Sequence, residues 1–169
     1  MPLSDTSVAV TLKGTLSNAL DLQTVTTALN YGKSVAWSNG TGNGQADKLW
    51  TDQRTLTASA NEDLDLAGGL TDAFGAAITF ARIKMILVVA AAANTNNVVI
   101  GAAASNAFVG PFGAATHTIH VRPDGMAVLA CKDATGWAVT GGTGDLLRVA
   151  NSAGSTSVTY DIAILGASA

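Results

Sequence analysis

Apolar and polar residues alternate one by one along several short stretches of this chain, and clusters of glycine, asparagine and proline separate them. A period of two puts successive side chains on opposite faces of an extended backbone, so the pattern commits the chain to half-buried β-strands. Val8, Val10 and Leu12 alternate with Ser7, Ala9 and Thr11, and Gly14 reads as the end of that strand. Residues 54–60 form a second candidate, Leu64 and Leu66 continue the alternation, and Gly68-Gly69 marks a turn. The aliphatic stretch 76–92 exceeds an ordinary strand, which predicts a bulge or bend near residues 82–84. Asn94-Thr-Asn-Asn97 is a turn and Val98-Val-Ile100 a returning strand. The last strand runs over residues 158–165, with Val158, Tyr160, Ile162 and Ile164 on one face.

Turn chemistry supports the same reading. Residues 117–121 and 126–130 flank Arg122-Pro123-Asp124-Gly125. Proline presets φ for a turn and glycine accepts positive φ, so these segments are expected to form a β-hairpin. Gly141-Gly-Thr-Gly-Asp145 precedes another strand at residues 146–149. Between Leu16 and Val35 the pattern breaks: Leu20, Leu22, Val25 and Leu29 fit neither period, leaving a short helix and an irregular arm both open. The expectation is an all-β protein, an antiparallel β-sandwich of jelly-roll type over residues 36–169, preceded by an N-terminal arm or edge element over residues 1–35.

Composition bounds the partners. The chain has 169 residues, enough to bury a core without disulfides, and its single Cys131 cannot form an internal bridge. Only 12% of residues are charged, about half the usual share, and the net charge is −3. A mildly acidic chain without a basic block lacks the footprint for phosphate backbones, so no nucleic-acid partner is expected. The longest apolar run, residues 85–93, is too short to cross about 30 Å of hydrocarbon as a helix. It reads as a strand buried on both faces, and no membrane partner is expected.

Reactive constellations are incomplete. Gly32-Lys33-Ser34 imitates the end of a phosphate-binding loop, but Thr27 stands where that motif needs glycine. Gly40, Gly42 and Gly44 lack dinucleotide-binding spacing and suit a mobile contact loop. His117 and His120 are three apart on an expected strand, so they point to opposite faces and cannot chelate one metal. Ser152 lies in Ala150-Asn-Ser-Ala-Gly154, an echo of a nucleophile elbow without its parallel sheet. Glu62, Asp63 and Asp65 offer fewer staggered oxygens than a calcium loop requires, and read as a solvated strand edge. No enzyme, metal or cofactor is expected. Trp37, Trp50 and Trp137 read as core or interface anchors. Trp37 and Trp50 flank the glycine loop, which makes Trp37, Asn39, Thr41, Asn43 and Trp50 the candidate partner-contact residues.

Several segments carry a resemblance. They are Gly44-Gln-Ala-Asp-Lys-Leu-Trp-Thr-Asp-Gln-Arg-Thr-Leu56, Asn61-Glu-Asp-Leu-Asp-Leu-Ala-Gly-Gly-Leu-Thr-Asp-Ala-Phe-Gly75, Asn94-Thr-Asn-Asn-Val-Val, Val109-Gly-Pro-Phe-Gly113 and Val158-Thr-Tyr-Asp-Ile-Ala-Ile-Leu-Gly166. Together they resemble a family of small virion proteins of tailed phages and prophages, over roughly residues 39–169. Gly14-Thr-Leu-Ser-Asn-Ala-Leu-Asp21 matches more loosely. The resemblance implies a β-sandwich that decorates capsids, a homo-oligomer bound to the major capsid protein lattice. It implies no catalytic residues and a place in the virion after synthesis in the host cytoplasm. A tail-associated subunit and a carbohydrate-binding host-attachment module are the alternative expectations.

Overall fold

The structure is a computed structural model and describes residues 2–169. Fourteen strands follow one another, and no helix occurs among the described residues. They are β1 (Thr6–Ala19), β2 (Thr24–Asn39), β3 (Gln45–Ala46), β4 (Lys48–Leu56), β5 (Asn61–Asp65), β6 (Leu70–Thr71) and β7 (Ala77–Ile78). β8 (Arg82–Ala90), β9 (Val98–Gly101), β10 (Thr118–Val121), β11 (Met126–Ala130), β12 (Trp137–Ala138), β13 (Leu146–Asn151) and β14 (Val158–Ala167) complete the chain.

The body is an antiparallel β-sandwich. One sheet has the order β11-β8-β14-β4, with β12 also paired to β8, and the other has the order β10-β9-β13-β5. Numbering these eight body strands from one to eight along the chain, without β12, the first sheet reads 6-3-8-1 and the second 5-4-7-2. Alternation does what it must between two such layers. Trp50, Ile86, Val88, Tyr160, Ile162 and Ile164 of one sheet meet Leu64, Val98, Ile100, Val121, Leu147 and Val149 of the other in a single core. Each fully buried aliphatic side chain stabilises the fold by roughly 1.5–3 kcal/mol. Phe80 and Phe108 fill the same core from connecting segments.

The stretch 76–92 resolves into β7, a break at residues 79–81, and β8. The expected bulge is at Lys84: Leu165 pairs with Met85 and Gly166 with Ile83, so Lys84 has no partner on β14. Gly166 passes so close to its neighbours there that an added Cβ would lie 2.6 Å from Phe80 Cδ1. β8 is covered on both faces over much of its length, by the main core on one side and by a second cluster around Met85 on the other.

Two expectations need correction. Residues 122–125 do form a turn, with the Gly125 amide donating to the Arg122 carbonyl at 2.9 Å. The strands it joins do not pair with each other, however: β10 pairs with β9 and β11 with β8, in opposite sheets. The turn is an arch across the sandwich rather than a hairpin. Positive φ falls on Asp124 (+60°), and Gly125 is required because a Cβ would lie 2.8 Å from the Arg122 carbonyl oxygen. The second correction concerns the N-terminus. β1 continues through Gly14, and the segment with broken periodicity is neither helix nor irregular arm. It comprises the end of β1, the loop of residues 20–23 and most of β2, which form a long β-hairpin paired in register from Thr6↔Trp37 to Ala19↔Thr24.

Candidate interaction surface

Fourteen residue pairs at about 3.3 Å per residue make the hairpin a ribbon about 45 Å long. Its tip is the loop of residues 20–23, closed by the Leu20 amide donating to the Gln23 carbonyl at 2.8 Å. Partners across an antiparallel pair share a face. One face therefore carries Val8, Val10, Leu12, Gly14 and Leu16 from β1, with Val25, Leu29, Tyr31, Val35 and Trp37 from β2. The other carries Ser7, Ala9, Thr11, Lys13, Thr15 and Ser17, with Thr26, Ala28, Asn30, Ser34 and Ala36. The ribbon is amphipathic along its whole length.

Only the base of the apolar face is covered. Trp37 is buried with Ala46, Met85 and Leu165, and Leu3, Val8, Val35, Leu87 and Ala163 pack around them. Beyond that, Val10, Leu12, Leu16, Val25, Leu29 and Tyr31 stand 46–74% exposed, and Leu22 at the tip is 99% exposed. Among the described residues no strand pairs with the ribbon past its base, since β3 meets β2 only at Ser38 and Asn39.

The base is clamped to the body through residues 131–136. Trp37 Nε1 donates to the Cys131 carbonyl at 3.1 Å, and the Gly44 amide donates to the Lys132 carbonyl at 2.7 Å. The next two carbonyls, of Asp133 and Ala134, accept from the ammonium of Lys84, which is fully buried. Arg82 Nη1 donates to the Ala134 carbonyl as well, at 2.7 Å. The bulge in β8 thus has a use: it turns a lysine into a loop whose carbonyls hold the root of the hairpin. Hydrogen bonds from the Thr135 hydroxyl and the Gly136 amide hold the Asp133 carboxyl down to about 2, while burial pushes the Cys131 thiol up.

The other residues singled out from the sequence fall as follows. Trp37 and Trp50 are buried in separate clusters, so both are core anchors and neither is presented to a partner. Asn39 and Asn43 are exposed and Thr41 is half-buried, in a loop tied by Ser38 N to Gly44 O, Gly40 N to Ala46 O and Gly42 N to Gln45 Oε1. Asn39 Oδ1 accepts from the Leu3 amide. Gly32-Lys33-Ser34 lies inside β2. His117 precedes β10 and its Nδ1 contacts the Phe112 carbonyl, while Ser152 pairs with Asn97 through backbone and hydroxyl. The three carboxylates are each engaged: Glu62 by Arg54 and Tyr160, Asp63 by a two-pronged contact with Arg148, and Asp65 by the Ala67 amide. Among the described residues, no group of three or more His, Cys, Asp or Glu gathers as a metal site.

The exposed apolar residues of the hairpin were not singled out from sequence, although a signal was present. Apolar positions are even-numbered in β1 and odd-numbered in β2, and the phase changes at the loop of residues 20–23. No family model, no curated protein and no solved structure matches this chain.

Proposed function

We propose that this protein is a non-enzymatic structural protein of a tailed-phage particle, a decoration (cement) protein bound in many copies to the major capsid protein lattice. The observation that carries the reading is the hairpin. Some 45 Å of paired backbone extends from a well-packed body and buries almost none of its own side chains. Such a ribbon is surface made for another chain. The strand orders 6-3-8-1 and 5-4-7-2 support a jelly roll, an architecture used by viral capsid and lectin domains. Fold analogy alone assigns no job; the hairpin and the phage-protein resemblance of residues 39–169 support this one.

The physical logic is repetition. Each contact with the lattice is modest, but an oligomer that bridges several capsid subunits gains from effective concentration. Binding that exists only on the assembled shell stabilises the shell by mass action. Purified protein mixed with particles lacking it is expected to bind saturably, at a fixed ratio to the major capsid protein, and to raise the temperature of genome release. A few copies per virion, located at the tail, would replace this reading with a tail-associated subunit. Selective binding on a glycan array would replace it with a host-attachment module.

A further inference from the structure

The apolar face of the hairpin is uncovered beyond its base, and we propose that its occupant is the same face on a second copy of this chain. Area, composition and stability support this.

Val10, Leu12, Leu16, Val25, Leu29 and Tyr31 together expose apolar surface on the order of 600 Å², the upper end of what monomers tolerate in one patch. Two such strips laid face to face bury about 1,200 Å², the lower bound of a specific, stable interface. Between Thr6 and Trp37 the strip carries a single charge, Lys33, paired with Val10. A lysine at the margin buries its stem and keeps its ammonium in water. A strip this poor in charge has nothing with which to select a charged partner, but it is complementary to itself. A two-fold axis applies the same patch to both sides of the contact, and such isologous pairs are the commonest oligomers.

Stability points the same way. A two-stranded ribbon is marginal alone in water, and among the described residues a third strand meets this one only at Ser38 and Asn39. A covering layer therefore contributes to the ribbon's own folding. A copy of the chain is present from synthesis onward, before any assembled surface exists to dock against. Both readings start from the hairpin, but self-association is measured without particles, so the failure of one is distinguishable from the failure of the other.

Sedimentation equilibrium over about 1–100 µM, a range that brackets micromolar Kd values, tests it on the full chain. The wild type should associate reversibly. Leu12→Glu and Leu29→Glu each bury an uncompensated charge in the proposed contact and should weaken association by at least about tenfold. Ser17→Glu, on the opposite face of the same ribbon, should leave it unchanged. Circular dichroism of each variant checks the fold. A wild type that stays monomeric through that range overturns the proposal. So does association that Leu12→Glu and Leu29→Glu leave intact, or that Ser17→Glu disrupts equally.

Discussion

Tyr160 is fully buried near the start of β14, and its hydroxyl donates to Glu62 Oε1 at 2.5 Å across the gap between the two sheets. Arg54 grips the other oxygen of Glu62 at 2.6 Å and stacks over Trp50 at 5.5 Å, so one polar chain links the two sheets along the partly exposed edge formed by β4 and β5. Burial first, and the neighbouring Glu62 carboxylate second, push the Tyr160 phenol well above its ordinary range. A raised phenol pKa means that the folded state favours the neutral form. The stability tied to it is complete below the unfolded value of about 10 and is lost as pH rises beyond that. Tyr160→Phe removes the donor and is expected to cost about 1–2 kcal/mol at neutral pH. The variant cannot ionise at this position, so its deficit against wild type should shrink between pH 9 and pH 11, a span chosen around that unfolded value. Urea denaturation across that span measures the gap, and a gap that stays constant would show that ionisation of Tyr160 is not linked to folding.

At the scale of elements, the hairpin divides into a root that belongs to the body and a ribbon that does not. Trp37 is 4% exposed and its indole N–H has a partner, so Trp37→Ala leaves a cavity and an unanswered Cys131 carbonyl, costing about 3–5 kcal/mol. Leu22→Ala at the tip should change the unfolding free energy by less than about 0.5 kcal/mol. Chemical denaturation of both variants reads the contrast, and equal effects would mean that root and tip fold as one unit. The same element shows what was legible in the sequence. Val8, Val10 and Leu12 mark β1, but Gly14 has the composition of a strand end, and Leu20 and Leu22 fall out of period. Those two leucines are in the four-residue loop, across which the phase reverses: Val25, Leu29, Tyr31, Val35 and Trp37 keep a period of two on odd positions. A period is local to a strand, whereas register is a property of the pair. The turn at residues 122–125 shows a related limit. Proline and glycine say that the chain reverses, but hairpin and arch share that chemistry, and only packing decides which sheet receives the next strand. Trp37 and Trp50 read as core or interface anchors and, beside the glycine loop, as candidate contact residues; the structure buries each in its own cluster.

For the whole molecule, the distribution of charge decides how its contacts respond to conditions. Nine basic residues face twelve acidic ones. Arg54 and Arg148 are committed to intramolecular ion pairs, and Lys84 is sealed inside the loop it organises. The ribbon adds only Lys13, Lys33 and, at its tip, Asp21 to a long surface of Val, Leu, Thr, Ser and Ala. Contacts made through such a surface depend on removing apolar area from water and little on Coulomb attraction. Raising salt from about 0.1 M to about 1 M shortens the Debye length from about 10 Å to about 3 Å. Surface ion pairing fades under that change, while apolar burial does not. Cooling has the opposite selectivity, because hydrophobic stabilisation weakens as temperature falls. Self-association of the purified protein is therefore expected to survive 1 M sodium chloride, a screening length of about 3 Å, with its Kd changed by less than about tenfold. It should weaken measurably between about 25 °C and 4 °C, the direction set by apolar hydration. Sedimentation at the two salt concentrations and the two temperatures checks both responses. A steep loss with salt, or association that tightens on cooling, would place the contact on the charged residues of the body and away from the apolar face of the hairpin.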